Sequence, residues 1–334
     1  NETHKKVLQA LRQADYLSPK YHIVIANPPY LGTKVFNEKL KDFVSNYYAD
    51  YKSDLYSCFV HRALSLSVNR AYVALMTPFS WMFLGSHENL RNLILTKHTL
   101  VNLVKPSYTA FFQSAIVSIC AFVLVKLCYP ELKASYIDLG YLGSGDSQPT
   151  RFKEALNSIE NEFRHYASAK DILKLPGAPI AYWINDSIRD VFSRSVGLDS
   201  IAVIRQGLAT CNNDLFVRFW YEVSGSQTGF DISDSLSAAK SGLKWFPYNK
   251  GGGYRQWYGN NELVVNWQAN GRDIHTYSNL PMDYSGAPVR AKDYYFREGI
   301  TYSLISSDGF SARRVFSGYI FDVGGSMVFP SISI

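Results

Sequence analysis

Four cysteines are all that this 334-residue chain contains, and Cys58, Cys120, Cys128 and Cys211 make no CxxC pair and no zinc-type spacing. Neither a disulfide framework nor a metal site is expected, and a reduced, cytoplasmic setting is the default. Cys58 and Cys120 stand in apolar stretches and read as buried thiols. No run is long enough to span a bilayer. The most apolar, residues 115–125, is short, holds Ser118 and reads as a central strand, so no membrane partner is expected. A signal-peptide pattern and internal repeats are also lacking. Charged residues are few at 19%, but hydrophobic residues reach 47%, which excludes wholesale disorder and suffices for two domains with sizeable cores. One further lack bears on chemistry. No glycine-rich phosphate or cofactor loop precedes Asn27, and the chain opens at Asn1 inside a helical pattern, which reads as a piece of a larger protein.

What the chain does have is aromatic residues, at 15%, and a net charge of +6, which weakly favours a polyanionic partner. Its most informative segment is Tyr21-His-Ile-Val-Ile-Ala-Asn-Pro-Pro-Tyr30. The first six residues read as a buried strand, and two prolines then forbid continuation of the ladder. The break falls at the carboxyl end of a strand, where open α/β sheets keep their ligands. An amide acceptor, two rigid carbonyls and an aromatic ring at that mouth suit a planar base held by its exocyclic amine. Such an amine is a poor nucleophile because its lone pair is delocalised into the ring. Acceptors on its two N–H groups, the side-chain oxygen of Asn27 and the carbonyl of Pro28, would favour a pyramidal nitrogen and localise that pair. Tyr30 supplies a face for an extruded base. No carboxylate base is required, since the proton can leave after the amine has attacked. The competing reading is an ordinary Asn-Pro-Pro turn followed by a packed tyrosine.

Along the chain, residues 3–15 show amphipathic helical spacing, and residues 36–48 read as a helix covering the site. Ser53-Asp54 offers an N-cap for a helix over 55–68. Strands are expected at 71–76, 99–104 and 116–126, with a helix at 88–95 between them, giving an α/β fold with a parallel-type sheet. Residues 140–149 are rich in Gly and Ser and 151–167 read as a charged helix. Beyond Leu175 the pattern turns into short β-like runs with many Gly and Asn. The expected organisation is 1–139 as one α/β domain, 140–175 as linker and connecting helix, and 176–334 as a mixed, β-rich domain.

Several separate blocks resemble the gamma-class, amino-group-specific DNA methyltransferases, and more narrowly the PglX adenine methyltransferases of bacteriophage exclusion (BREX) systems. They are Asn27-Pro-Pro-Tyr30, Lys52-Ser-Asp-Leu-Tyr-Ser-Cys-Phe59 and Met76-Thr-Pro-Phe-Ser-Trp-Met-Phe83. In the second domain they are Gly177-Ala-Pro-Ile-Ala-Tyr-Trp183, Arg205-Gln-Gly-Leu-Ala-Thr210, Lys244-Trp-Phe-Pro-Tyr-Asn-Lys-Gly251, Trp257-Tyr-Gly-Asn-Asn261, Gly299-Ile-Thr-Tyr-Ser303 and Phe321-Asp-Val-Gly-Gly325.

The resemblance covers nearly the whole chain. It implies the C-terminal part of a Rossmann-like methyltransferase domain followed by a DNA target-recognition domain. Asn27, Pro28 and Tyr30 would then be catalytic, gripping and stacking a flipped adenine whose N6 takes a methyl group from S-adenosylmethionine. Phe59, with Asn27, would border the cofactor; plain core packing of Phe59 with Leu55 and Ala63 is the equal alternative. Phe112 matches a second base-stacking aromatic, with Phe111 as its competitor. For DNA contact the candidates are Arg205, Gln206, Asn212, Asn213, Lys244, Lys250, Arg255, Arg313 and Arg314, with Lys250-Gly-Gly-Gly-Tyr-Arg255 as a flexible phosphate clamp. The family's cofactor loop lies before the Asn-Pro-Pro-Tyr strand and nothing upstream of Tyr21 supplies it, so the isolated chain is expected to bind the cofactor poorly and be inactive. Double-stranded DNA, other phage-defence proteins and phage-encoded inhibitors are the implied partners. The rival reading is a non-catalytic DNA-recognition or defence-protein interaction module.

Overall fold

Helices and strands are interspersed through the first 195 residues. The computed structural model describes residues 2–107, 118–140, 147–305 and 309–331. Helix α1 (Glu2–Leu17) leads to strand β1 (Tyr21–Ala26), then α2 (Glu38–Tyr47), α3 (Leu55–Leu66), β2 (Ser67–Pro78), α4 (Glu88–Lys97), β3 (Thr99–Lys105), β4 (Ile119–Val125), β5 (Lys133–Asp138), α5 (Ser147–Asn157), β6 (Arg164–Ser168), α6 (Ala169–Ile172) and α7 (Asp186–Arg194). Six strands form one sheet in the order β1-β2-β4-β3-β5-β6. β1 runs parallel to β2 and β3 to β5, while β4 is antiparallel to both of its neighbours and β6 to β5. The expected α/β class is therefore found, with a mixed rather than parallel sheet.

The main core of this first unit lies on one face of the sheet, and a smaller cluster of Ile137, Leu139 and Ala155 lies on the other. Val73 and Leu75 of β2, Cys120, Phe122 and Leu124 of β4, and Leu103 of β3 point into the main core, against Val60 and Leu64 of α3, Leu90 and Ile94 of α4, and Trp81. Asp54 caps α3 by accepting from the Tyr56 N–H, and Asn37 caps α2 in the same way from Leu40. One expectation is corrected here: β1 is not a buried strand. It is the edge strand, with Ile23 and Ile25 63% and 76% exposed. Only Val24 and Ala26 pack on the core. The alternating exposure follows from the two-residue period of a strand covered on one face.

The domain expectation also shifts. Residues 140–175 are not a linker, because β6, from the segment expected as charged helix, pairs with β5 as the other edge of the sheet. Two compact units meet at Ser195 and Val196 instead of residue 176.

The second unit holds α8 (Leu198–Ile201), β7 (Ala202–Arg205), α9 (Asn213–Phe216), β8 (Val217–Phe219), α10 (Ser235–Ser241), β9 (Trp245–Asn249), β10 (Leu263–Asn266), α11 (Gln268–Tyr277), β11 (Gly299–Tyr302), β12 (Ala312–Val315), β13 (Ile320–Phe321) and β14 (Met327–Pro330). They build two four-stranded sheets, β13-β9-β10-β8 and β12-β11-β14-β7, around an aromatic core of Phe246, Tyr248, Trp267, Tyr295, Phe296 and Phe321. Three of the sequence blocks meet here. Leu208 N–H donates to Phe321 O, Val323 N–H to Leu208 O and Asp322 N–H to Asn249 O. Gly207 is obligatory, since a Cβ there would lie 2.0 Å from the Phe321 carbonyl oxygen. In this unit those blocks hold the two sheets in place.

Candidate functional site

β1 ends at Ala26, and the chain turns through Asn27, Pro28 and Pro29 into Tyr30. Prolines cannot donate to a ladder, so the turn is fixed by the residues on its far side. Residues 31–33 lie antiparallel against the lead into α3. Leu31 O accepts from the Leu55 N–H at 2.9 Å, and the Leu31 N–H donates to Asp54 Oδ1 at 3.1 Å. The Thr33 hydroxyl donates to Lys52 O at 2.7 Å. The same Asp54 oxygen accepts from the Tyr56 N–H at 3.2 Å. One carboxylate thus caps a helix and anchors the turn. Sequence reasoning found the cap and missed the anchor, because a contact spanning 23 residues leaves no local signal.

Tyr30 is half-buried, and its ring stands edge-on to Tyr56 with centroids 6.4 Å apart. Its hydroxyl donates to Asn27 Oδ1 at 2.8 Å and lies 3.2 Å from Met76 O. Burial pushes the Tyr30 phenol above its ordinary pKa, with Cys120 adding to the effect, so the hydroxyl stays a donor at neutral pH. A carbonyl oxygen has two lone pairs, and this contact uses one of those on Asn27. Behind the pair, the Tyr56 hydroxyl lies 3.0 Å from Ser80 Oγ and 3.1 Å from His87 Nε2, while Ser57 Oγ is 3.1 Å from His87 Nδ1. Burial holds the His87 pKa below its usual value, keeping this network neutral. Three blocks, at 27–30, 52–59 and 76–83, therefore converge on one place, and the Gly177–Trp183 block, expected in the second domain, also belongs to the first unit, where the Ile180 N–H donates to Met82 O.

Phe59 lies on the exposed side of α3. It is 40% exposed and stands outside the main hydrophobic core. With Phe43 and Tyr48 from α2 and its end, and Leu55, Cys58 and Arg62, it lines an apolar cavity of about 140 Å³. Burial pushes the Cys58 thiol up to about 11, so it presents a neutral wall. Phe111 and Phe112 lie outside the described residues.

In the second unit the cationic candidates separate. Arg205 and Gln206, at the end of β7, line an open groove of about 690 Å³ with Arg290, Lys292 and Tyr294. The guanidiniums of Arg205 and Arg297 each lie 4.9 Å from the Tyr294 ring centroid. Tyr294 and Arg297 escaped sequence reasoning, because no spacing rule links them to Arg205. Asn212 is engaged as the cap of α9, and Asn213 accepts from the Thr210 hydroxyl at 2.7 Å. Lys244 sits 5.5 Å from the Trp245 ring centroid. Lys250 and Arg255 flank the glycine loop, which is tied down: Asn260 Nδ2 donates to Gly251 O at 2.7 Å and Gly253 O at 2.9 Å.

Arg313 must be corrected. It is 1% exposed and donates to the Ser303 and Ser311 hydroxyls, so it supports the loop from beneath and cannot reach a nucleic acid. Arg314 is exposed, but its Nε donates to Glu298 at 2.7 Å. Among the described residues no cluster of three His, Cys, Asp or Glu side chains could hold a metal, and no helix is long and apolar enough to cross a membrane.

Residues 2–112 match the family of Eco57I restriction-modification methylases. Over 334 residues the chain is 33% identical to the adenine-specific methyltransferase BrxX of Escherichia coli O9:H4 (strain HS), covering 98% of this chain and 26% of that protein. It is 34% identical over 332 residues to the adenine-specific methyltransferase PglX of Lacticaseibacillus casei (strain Zhang), covering 96% and 27%. It thus spans about a quarter of the length of these curated relatives. Among solved structures, its fold is similar to that of the type IIL restriction-modification enzyme MmeI in complex with DNA, with a TM-score of 0.53 at 14% identity over 93% of this chain and 41% of that one. A nuclease-deletion mutant of the type ISP enzyme LlaGI, in complex with a DNA substrate mimic, gives 0.50 at 14% identity over 96% and 36%.

Proposed function

We propose, from its relation over nearly its whole length to the BrxX and PglX adenine-specific methyltransferases, that this chain is the base-gripping and DNA-reading portion of a DNA adenine-N6 methyltransferase of a phage-exclusion system. The observation that carries the reading is the Asn27–Tyr30 pair at the mouth of β1. The free lone pair of Asn27 Oδ1 and the Pro28 carbonyl accept the two N–H groups of a flipped adenine, and the Tyr30 face receives its ring. The neutral Tyr30 phenol holds the amide in register, while Asp54 holds the turn. Double-stranded DNA is the substrate, and the second unit reads it.

The cavity at Phe59 fits a flat heteroaromatic ring such as the adenine of S-adenosylmethionine, which when bound supplies an electrophilic methyl group. Phe43, Tyr48 and Phe59 would hold that ring. Among the described residues no carboxylate lines this cavity to take ribose hydroxyls. The chain alone is accordingly expected to bind the cofactor weakly. A non-catalytic DNA-recognition module is the second reading, and the exposed aromatic loop of the second unit favours it.

The test is methyl transfer to duplex DNA by the protein that carries this chain, comparing wild type with Asn27→Ala. The variant should lose about 10²- to 10³-fold in rate while retaining DNA affinity. Unchanged methylation would remove the catalytic assignment and leave the recognition module.

A further inference from the structure

The loop between β9 and β10 carries a tryptophan in an unusual state. Trp257 has φ +72°, a left-handed conformation that bulky side chains rarely adopt, and its side chain is 71% exposed. Tyr258 beside it is 63% exposed. Among the described residues the Trp257 indole stacks on no other ring. Burial therefore does not explain the strained backbone.

The loop nevertheless holds this shape firmly. Trp257 N–H donates to Ala312 O at 2.8 Å, and Arg314 N–H donates to Trp257 O at 3.0 Å, a bridge onto β12. Asn260 ties the two ends of the loop through Gly251 and Gly253. Ser311 bonds both backbone groups of Arg255, and buried Arg313 donates to Ser311 at 2.6 Å. Strain held by its surroundings, away from any packing role, points to a binding function. The stretch 250–261 carries Lys250 and Arg255 and no carboxylate, which suits a polyanion with flat faces to stack on.

We infer that Trp257 is a stacking residue for DNA bases, carried on a backbone held in place to contact bases unstacked from the target duplex, with Lys250 and Arg255 on the flanking phosphates. This rests on the DNA-reading role proposed above and goes beyond it by naming the aromatic contact. Unstacking is costly for the duplex, and an aromatic platform offsets that cost for any base type. A rigid mount matters because a mobile loop would lose entropy on docking.

The experiment is equilibrium binding of a fluorescent duplex to the whole protein across a salt series, for wild type, Trp257→Ala, Trp257→Phe and Arg255→Ala. Thermal melts confirm that each variant folds. Trp257→Ala should weaken binding about tenfold or more with an unchanged salt slope, and Trp257→Phe should recover most of the loss. Arg255→Ala should instead lower the slope by about one. If wild type binds duplex and Trp257→Ala binds equally well, the inference is overturned and the exposed face belongs to a protein partner. If wild type binds no duplex even at low salt, the DNA-reading role itself falls, and this inference with it.

Discussion

With its hydroxyl 2.8 Å from Asn27 Oδ1, Tyr30 leaves that oxygen one lone pair for a ligand and fixes which way the amide faces. Tyr30→Phe keeps the ring and removes this restraint. A hydrogen bond of this kind contributes roughly 0.5–1.5 kcal/mol, so we expect methylation to slow by about two- to tenfold, far less than for Asn27→Ala. Steady-state rates for both variants at saturating DNA would check the ranking; equal losses would show that Tyr30 does more than orient the amide. The residue types at this site were legible in the sequence, because prolines after an apolar run announce a strand end. The Tyr30–Asn27 contact was not, since a turn string does not reveal which way its side chains face. Arg313 shows the opposite limit. It was one of the cations named for DNA contact, yet two serine hydroxyls hold it in the interior.

At the scale of elements, helix α3 begins where Asp54 stops the preceding turn, and that carboxylate also grips Leu31. Removing it by Asp54→Ala uncaps the helix and frees the turn after Tyr30. The loss should be about 1–2 kcal/mol, which lowers the melting midpoint of a unit this size by roughly 2–8 °C. Asp54→Asn keeps an acceptor and should restore most of the midpoint. Differential scanning calorimetry of the three proteins decides this, and a midpoint unchanged in the alanine variant would contradict the anchoring role. Helices α1 to α4 and strands β1 to β3 were readable from caps and apolar period. β5 and β6 were not. Their charged ends, Lys133 and Arg164, look like surface helix or loop, and only their pairing with each other and with β3 makes them strands. That pairing is tertiary and overrides local preference.

For the whole molecule, sensitivity to acid follows from histidines kept neutral. Burial, with Lys126 and His61 adding to it, lowers the His98 pKa to about 4, and burial lowers that of His87 as well. A depressed histidine means that the unfolded chain takes up its proton first as pH falls. The stabilisation is complete above about pH 6.5 and is lost as pH drops through the interval toward 4. Melting midpoints measured from pH 7.5 to 4.5 should fall steadily, and His98→Gln should flatten the fall; a flat wild-type profile would refute it. Two-domain organisation was legible from the change in composition, but its boundary was not. The Gly- and Ser-rich stretch after residue 140 resembles a linker, whereas the chain first returns to complete the sheet with β6.

The edge position of β1 has a consequence for handling the chain as a reagent. Among the described residues β1 is paired on one side only, while Ile23 and Ile25 stand in solvent beside Tyr72 on the neighbouring strand, itself 52% exposed. An uncharged, β-branched rim of this kind is an open template for any other extended backbone, including that of a second molecule. Pairing of two such rims is bimolecular, so the tendency to associate grows with protein concentration.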